Sequence, residues 1–208
     1  SAPAGGQALK GSGNFKEQLG GLEFQLPYDS FFQPNPAAFD LLLDSCTPRI
    51  GSLRERAPVR LFDFFCGAGI LSAIITSRFP GLFTEVRGYE FTESCVPAAK
   101  NNLRHFPGKV EFEQADLNKP SPDLLKNVSE NDLIVLDPPR AGIGAPLRKL
   151  LRSAKAQSIL YISCNPKTQI PDLQELKDFY DVKFARIVDC YPQTGHLEQT
   201  VWLEKKEN

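Results

Sequence analysis

The chain has 208 residues, 41% hydrophobic and 24% charged, enough to bury the core of one large globular domain and too few for two full ones. A net charge of -1 gives no global sign of a nucleic-acid binder, no apolar run reaches the roughly 18 to 20 residues of a membrane crossing, and the start lacks a signal-peptide pattern. Five cysteines (46, 66, 95, 164, 190) show no metal-ligand spacing and leave one unpaired, which fits a reducing intracellular compartment, cytoplasm or nucleus before an organelle.

Ser1 to about Asn14 is small, Gly-rich and aperiodic and reads as a disordered lead or an appended remnant, with one domain over residues 15–208. Methionine is absent even at position 1, as expected of a processed product or a piece of something longer. Leu22, Phe24 and Leu26 alternate with Glu23 and Gln25, which predicts a half-exposed strand. Asn35 and Pro36 open a helix with Phe39, Leu42 and Leu43 at helical spacing, leaving Gln33 on a connection held by prolines. Pro48 to Pro58 reads as a polar linker.

The period then changes. Val59 to Phe65 reads as a strand, Cys66-Gly67-Ala68-Gly69 as a tight turn, and Ile70 to Phe79 as a helix. Glycines there let a backbone approach a ligand at the helix amino end. Thr84 to Glu90 makes the next strand, and Glu90 falls 21 positions after Gly69, near the spacing at which an acid meets a ribose hydroxyl pair. Thr92 caps a helix over residues 93–104 in this reading, and Val110 to Gln114 is a third strand followed by Asp116, an adenine contact or a loop cap.

Asp132 to Leu136 is a fourth strand, ended by Asp137-Pro138-Pro139-Arg140, where two prolines force the chain out of the sheet. From Pro138 to Pro171 no acid occurs, while Arg140, Arg148, Lys149, Arg152, Lys155 and Lys167 all do; this reads as a phosphate-tracking surface or as a solvated helix face. A basic helix spans about 146–154. Ser158 to Ile162 is a buried strand that delivers Cys164 at its carboxyl end, where Asn165-Pro166 stops it. A thiol there is either a packed core group or a reactive one. A helix over about 171–179 and a closing strand pair (182–189, 199–203) finish the chain. The alternation implies an α/β fold, a mostly parallel sheet with helices on both faces.

The motifs FFQPNP (31–36), DFFCGAG (63–69), Glu90, DPPRAG (137–142), SCNP (163–166) and YPQTGHLE (191–198) together resemble the S-adenosylmethionine-dependent RNA uridine-5-methyltransferases, which make 5-methyluridine in tRNA or rRNA. The resemblance covers about Phe24 to Glu204 and implies a class I methyltransferase (Rossmann-like) fold with seven strands, the last pair antiparallel. It also implies methyl-donor contacts at Gln33, Phe65, Gly67, Gly69, Ile70, Glu90, Asp116 and Asp137, Cys164 as nucleophile, Glu198 as base, and substrate contacts at Arg140, Asn165 and His196. Tyr191, Phe31 and Phe32 are either base-stacking or core aromatics.

The chemistry suits these residue types. Uracil C5 is too weak a nucleophile to take a methyl group unaided, and thiolate attack on C6 turns the ring into an enolate. Arg140 is a cation able to lower the thiol pKa, and a carboxylate such as Glu198 can remove the C5 proton. The target uridine must leave its stack, in tRNA before rRNA. Members of the family carry further RNA-binding domains, so this domain is expected to bind the donor yet methylate RNA slowly alone. Two alternatives stand beside this reading: a nitrogen methylator using the strand-four D-P-P turn, which needs no cysteine, and a non-catalytic donor- or RNA-binding module.

Overall fold

The computed structural model describes residues 13–207. Of the lead expected over 1–14, positions 1–12 lie outside the described residues, and Asn14 already belongs to a strand. Strands β1 (Asn14–Leu19) and β2 (Leu22–Pro27) pair antiparallel through Gly20-Gly21, both at positive φ as a two-residue hairpin requires. Phe24 and Leu26 of β2 are buried and Glu23 and Gln25 exposed, as the alternation predicts.

Helix α1 (Pro36–Ser52) starts where expected, the Asn35 side chain accepting from the Ala38 amide at 3.2 Å. It ends much later, because Pro48 lies inside it and a 3-10 turn (Leu53–Arg56) continues the path. The linker reading of 48–58 is corrected accordingly: Cys46, Ile50 and Leu53 extend the buried face begun by Phe39, Leu42 and Leu43, and this burial outweighs the lost amide of Pro48.

The main sheet comprises β3 (Val59–Phe64), β4 (Phe83–Glu90), β5 (Lys109–Gln114), β6 (Leu133–Leu136), β7 (Ser158–Ser163), β8 (Tyr180–Val188) and β9 (Glu198–Lys205), in the order β5-β4-β3-β6-β7-β9-β8. The first five are parallel, and β9 runs antiparallel to both β7 and β8. Helices α2 (Ile70–Arg78) and α3 (Cys95–Asn102) join α1 on one face; α4 (Ala145–Ser153) and α5 (Pro166–Leu176) cover the other. Strand order reverses between β3 and β6, which opens a crevice at the carboxyl ends of those strands.

Three further boundaries differ from expectation. Thr92 does not cap α3; its amide donates to Glu90, and the helix starts at Cys95. Helix α5 begins at Pro166, immediately after Cys164-Asn165, and carries Pro171 inside it. Glu198 is the first residue of β9 rather than part of the preceding loop. Among the described residues no helix is long and apolar enough to cross a membrane.

Candidate active site

The side chains that carry chemistry share one face because strand side chains alternate with a period of two. Val59 and Leu61 of β3, Val86 of β4, Val135 of β6, Ile162 of β7 and Trp202 of β9 all pack in the core against α1 and α2. Counting on by twos from each reaches Asp63, Glu90, Asp137, Cys164 and, backwards along β9, Glu198. Five polar groups scattered over 136 positions of sequence thus come to one edge and one face, beside the connection that bears Gln33.

On the β3–β4 side the glycine turn is tightly held. The Phe65 and Cys66 amides donate to the Tyr89 carbonyl at 2.9 and 3.2 Å, with Phe65 at φ 65° and Gly67 at φ 51°. Glu90 accepts from the Gly67 amide at 2.9 Å and from the Thr92 amide at 2.8 Å, so one carboxylate fixes both loops. The two glycines of the turn differ. A Cβ on Gly67 would meet nothing within 4 Å, whereas one on Gly69 would sit 3.0 Å from Ala99 and Leu103. A side chain at Gly67 would enter open space, whereas one at Gly69 would run into α3. Ile70 is half-buried against the core, and Asp116 accepts from the Asn118 amide at 2.9 Å in an Asx turn. Gln33 is buried and its Oε1 has no partner.

On the β7–β9 side the register gives the geometry. Ser163 pairs with Gln199 in the last rung of the β7–β9 ladder, so Cys164, one residue past β7, comes out beside Glu198, the first residue of β9, close enough for that carboxylate to act on the thiol. Cys164 is half-buried and Glu198 is 2% exposed. Burial pushes the Glu198 carboxyl up, partly offset by a 2.9 Å hydrogen bond from the Tyr191 hydroxyl. Burial also pushes the Cys164 thiol up, and the Glu198 and Asp137 carboxylates push it further. Arg140 lowers it, as expected of a nearby cation, without reversing the net direction. Asp137 is raised by burial and by the neighbouring Glu198 and Asp63.

Two loops close over this point. The Arg140 guanidinium nitrogens lie 3.2 Å from both ring nitrogens of His196. Only the unprotonated ring nitrogen of a neutral imidazole can accept, so the guanidinium donates to one ring nitrogen and lies close to the other. The Asn165 amide donates to the Arg140 carbonyl at 2.9 Å and Thr168 to the same oxygen at 3.0 Å, which makes Asn165 a holder of the Arg140 loop. Asp172 of α5 completes the lock, accepting from the Tyr161 hydroxyl, the Ile143 amide and Arg148.

Sequence reasoning passed over Asp63. It is 1% exposed, receives a bond from Ser72, leaves Oδ1 without a partner, and is pushed up to about 7 by burial and the nearby Glu90. The available signal was a lone acid in an apolar strand. Phe91, 66% exposed directly after Glu90, was also missed. The acid-free segment does not form one basic surface. Arg148 and Arg152 pair with Asp172 and Glu175 of α5, and Lys155 precedes β7 at the sheet edge opposite Cys164.

A seven-stranded sheet in this order, with a glycine turn and an acid at the ends of its first two central strands, defines the class I methyltransferase fold. The model of the tRNA (uracil-5-)-methyltransferase family matches residues 18–206, and the chain belongs to that family. An uncharacterized RNA methyltransferase of Leptospira interrogans is 38% identical over 205 residues, which are 95% of this chain and 43% of that protein. One of Clostridium acetobutylicum is 32% identical, covering 95% and 42%. The chain therefore spans less than half the length of these relatives. Among solved structures, the Pyrococcus abyssi tRNA (uracil-54, C5)-methyltransferase in complex with S-adenosyl-L-homocysteine superposes with a TM-score of 0.72 and 28% identity, over 93% of this chain and 45% of that one.

The residues present fit the family's methyl donor, S-adenosylmethionine. Gln33 Oε1 and Asp63 Oδ1 are acceptors left without a partner, and with the Asp137 and Glu90 carboxyls they are the acceptor types that suit a ligand carrying ammonium and sulfonium charges. Glu90 uses two of a carboxylate's roughly four acceptor positions, leaving room for ribose hydroxyls. Gln33, the Phe65–Gly67 backbone, Glu90, Asp116 and Asp137 are the groups that would hold it.

Proposed function

We propose that this domain transfers a methyl group from S-adenosylmethionine to C5 of a uridine in RNA, through a covalent bond between Cys164 and C6. The observation that carries the reading is the register that sets Cys164 beside buried Glu198, near Asp137. The donor supplies an electrophilic methyl on a sulfonium. The Cys164 thiolate adds to C6 and makes C5 a carbon nucleophile, and C5 takes the methyl as the methyl–sulfur bond breaks and its electron pair stays on sulfur, leaving the neutral thioether S-adenosylhomocysteine. Glu198 then takes the C5 proton, the C5–H electrons re-form the C5–C6 double bond, and the C6–S bond breaks to return the thiolate. Arg140 stabilises the thiolate and the enolate oxygen, and Asn165 with Thr168 fixes its loop. The family model and the Pyrococcus abyssi likeness favour tRNA over rRNA as the substrate. Capture of that RNA draws also on parts of the protein beyond this chain.

The test is incubation with S-adenosylmethionine and a tRNA transcript containing 5-fluorouridine, followed by peptide mass analysis. Fluorine cannot leave as a proton does, so the reading requires a methylated RNA adduct on Cys164. Methyl transfer to ordinary RNA that survives Cys164→Ala would instead establish the nitrogen-methylating alternative.

A further inference from the structure

We propose that Tyr191 is the positioning residue of the proposed base: its hydroxyl holds Glu198 in the ionised, correctly turned state that C5 proton removal needs. This rests on the reading of Cys164 and Glu198 given above. Tyr191 lies on the loop between β8 and β9, seven residues before Glu198, and its hydroxyl reaches Glu198 Oε1 at 2.9 Å. Among the described residues it is the one side chain hydrogen-bonded to that carboxylate. No side chain among the described residues is hydrogen-bonded to Oε2, which leaves that oxygen for the C5 proton.

The loop is built to aim the phenol. The Tyr191 amide donates to Asp189 at 3.1 Å, the Thr194 hydroxyl donates to the Tyr191 carbonyl at 2.7 Å, and the His196 amide donates to the Thr194 hydroxyl at 3.2 Å. The Tyr191 ring meets the His196 ring edge-on at 6.1 Å, and His196 is in turn hydrogen-bonded to the Arg140 guanidinium. Base, phenol, imidazole and guanidinium form one row from the floor of the site to its rim.

The electrostatics support the role. A carboxyl 2% exposed and raised by burial is drawn toward its neutral form, in which it cannot accept a proton. A hydroxyl donating to it favours the charged form, and this is the lowering influence on Glu198. The titratable groups facing Glu198 from other elements are Cys164 of the β7 end, Asp137 of the β6 end and Cys190 of the loop before β9, each of which adds negative charge when ionised; burial and the Glu198 carboxylate push Cys190 up to about 11, so it stays neutral. Beside these, Tyr191 is itself pushed far up, so it stays a donor throughout the neutral range. In the proton-removal step Tyr191 keeps its own proton; only the C5 proton moves, to Glu198 Oε2.

The test compares wild type and Tyr191→Phe on a tRNA transcript with ordinary uridine and with 5-fluorouridine, in single-turnover reactions with S-adenosylmethionine. In the variant, addition and methyl transfer proceed while elimination slows. Ordinary RNA should therefore accumulate as a denaturant-stable adduct on Cys164, as in Glu198→Gln but not in wild type. Elimination should fall roughly ten- to hundredfold with the Michaelis constant for RNA little changed, and its acid limb should move to higher pH. Donor affinity and melting temperature are measured alongside to show that the variant is folded. If wild type traps 5-fluorouridine and Tyr191→Phe eliminates with the wild-type pH profile, the inference about Tyr191 fails alone. The same holds if the folded variant traps neither RNA, which would assign Tyr191 to capture. If wild type itself forms no Cys164 adduct, the underlying reading fails and takes this one with it.

Discussion

Asp63 sits at the middle of the donor side with one oxygen on Ser72 and the other without a partner. Burial is the largest influence on it, and it raises the carboxyl from 3.8 to about 7. The sign of the linkage follows. The folded chain holds this proton more tightly than the unfolded chain, so the contribution to stability is complete below about pH 4 and is lost as pH rises through about 7. Three units correspond to a ceiling of about 4 kcal/mol. We expect Asp63→Asn to remove this dependence, so that the gap in urea-unfolding free energy between variant and wild type shifts in the variant's favour from pH 5 to pH 8. Parallel stability curves across that range would show that Asp63 is already ionised in the folded protein. At neutral pH a bound cationic donor offsets the same charge, so the wild type should gain more stability from S-adenosylmethionine than the variant does.

At the scale of elements, the strand that carries Glu90 depends on a missing side chain. A Cβ on Gly88 would lie 2.2 Å from the Phe112 ring and 2.8 Å from Cys66 Sγ, and both of those residues are buried. Gly88→Ala must therefore displace β5 or the glycine turn. Overpacking of this kind costs about 1 to 3 kcal/mol, or roughly 2 to 4 °C in melting temperature per kcal/mol for a domain of this size. Because Cys66 belongs to the turn, S-adenosylmethionine affinity measured by calorimetry should also fall; an unchanged affinity with a lowered melting temperature would confine the damage to β5. The same turn explains what could be read from the chain in advance. Strand β3, the Cys66–Gly69 turn, β4 ending at Glu90, the Asp137 turn and the Cys164 strand are apolar runs cut off by Gly, Pro or acid, which is a local signal. Helices α1 and α5 were legible only in part, because Pro48 and Pro171 read as ends. In the fold, Ile50 and Leu53 bury beyond the first proline, and just past the second Asp172 accepts three hydrogen bonds from β7, α4 and the loop before it, which dock α5 on the sheet. Asp63 opens the DFFCGAG stretch and Tyr191 the YPQTGHLE stretch, yet the chain alone assigned neither its hydrogen-bonding role; those roles come from the pleat and from a loop folding back, which are tertiary facts. The fates of Arg148 and Arg152 were hidden for the same reason, since their partners lie on the next helix.

For the whole molecule the question is how a chain of net charge -1 meets an RNA. Of the six cations in the acid-free segment, two are held by α5 and one faces the wrong edge, which leaves Arg140, Lys149 and Lys167 exposed on the remaining surface. Three phosphate contacts on single-stranded RNA give a log–log salt slope of only about -2, a weak and salt-sensitive grip. The chain spans 43% of its Leptospira relative, so this count covers only part of the length over which such a relative could meet RNA. The α4–α5 ion pairs are partly exposed and of the kind worth little to stability, so they can be broken without unfolding the domain. Glu175 is the common partner: Arg148 Nε reaches it at 3.1 Å and Arg152 Nη2 at 2.7 Å. Glu175→Ala should release Arg152 fully and Arg148 in part while Asp172 keeps its own bond to Arg148. If this helix face lies along the RNA, the variant should bind a tRNA transcript a few-fold more tightly at low salt, with a slope steeper by about 0.7 to 1.4 and an unchanged affinity for S-adenosylmethionine. A slope equal to that of the wild type would place the RNA path on the other side of Cys164, over the Phe31 and Phe91 loops, where the exposed surface is aromatic and stacking replaces charge.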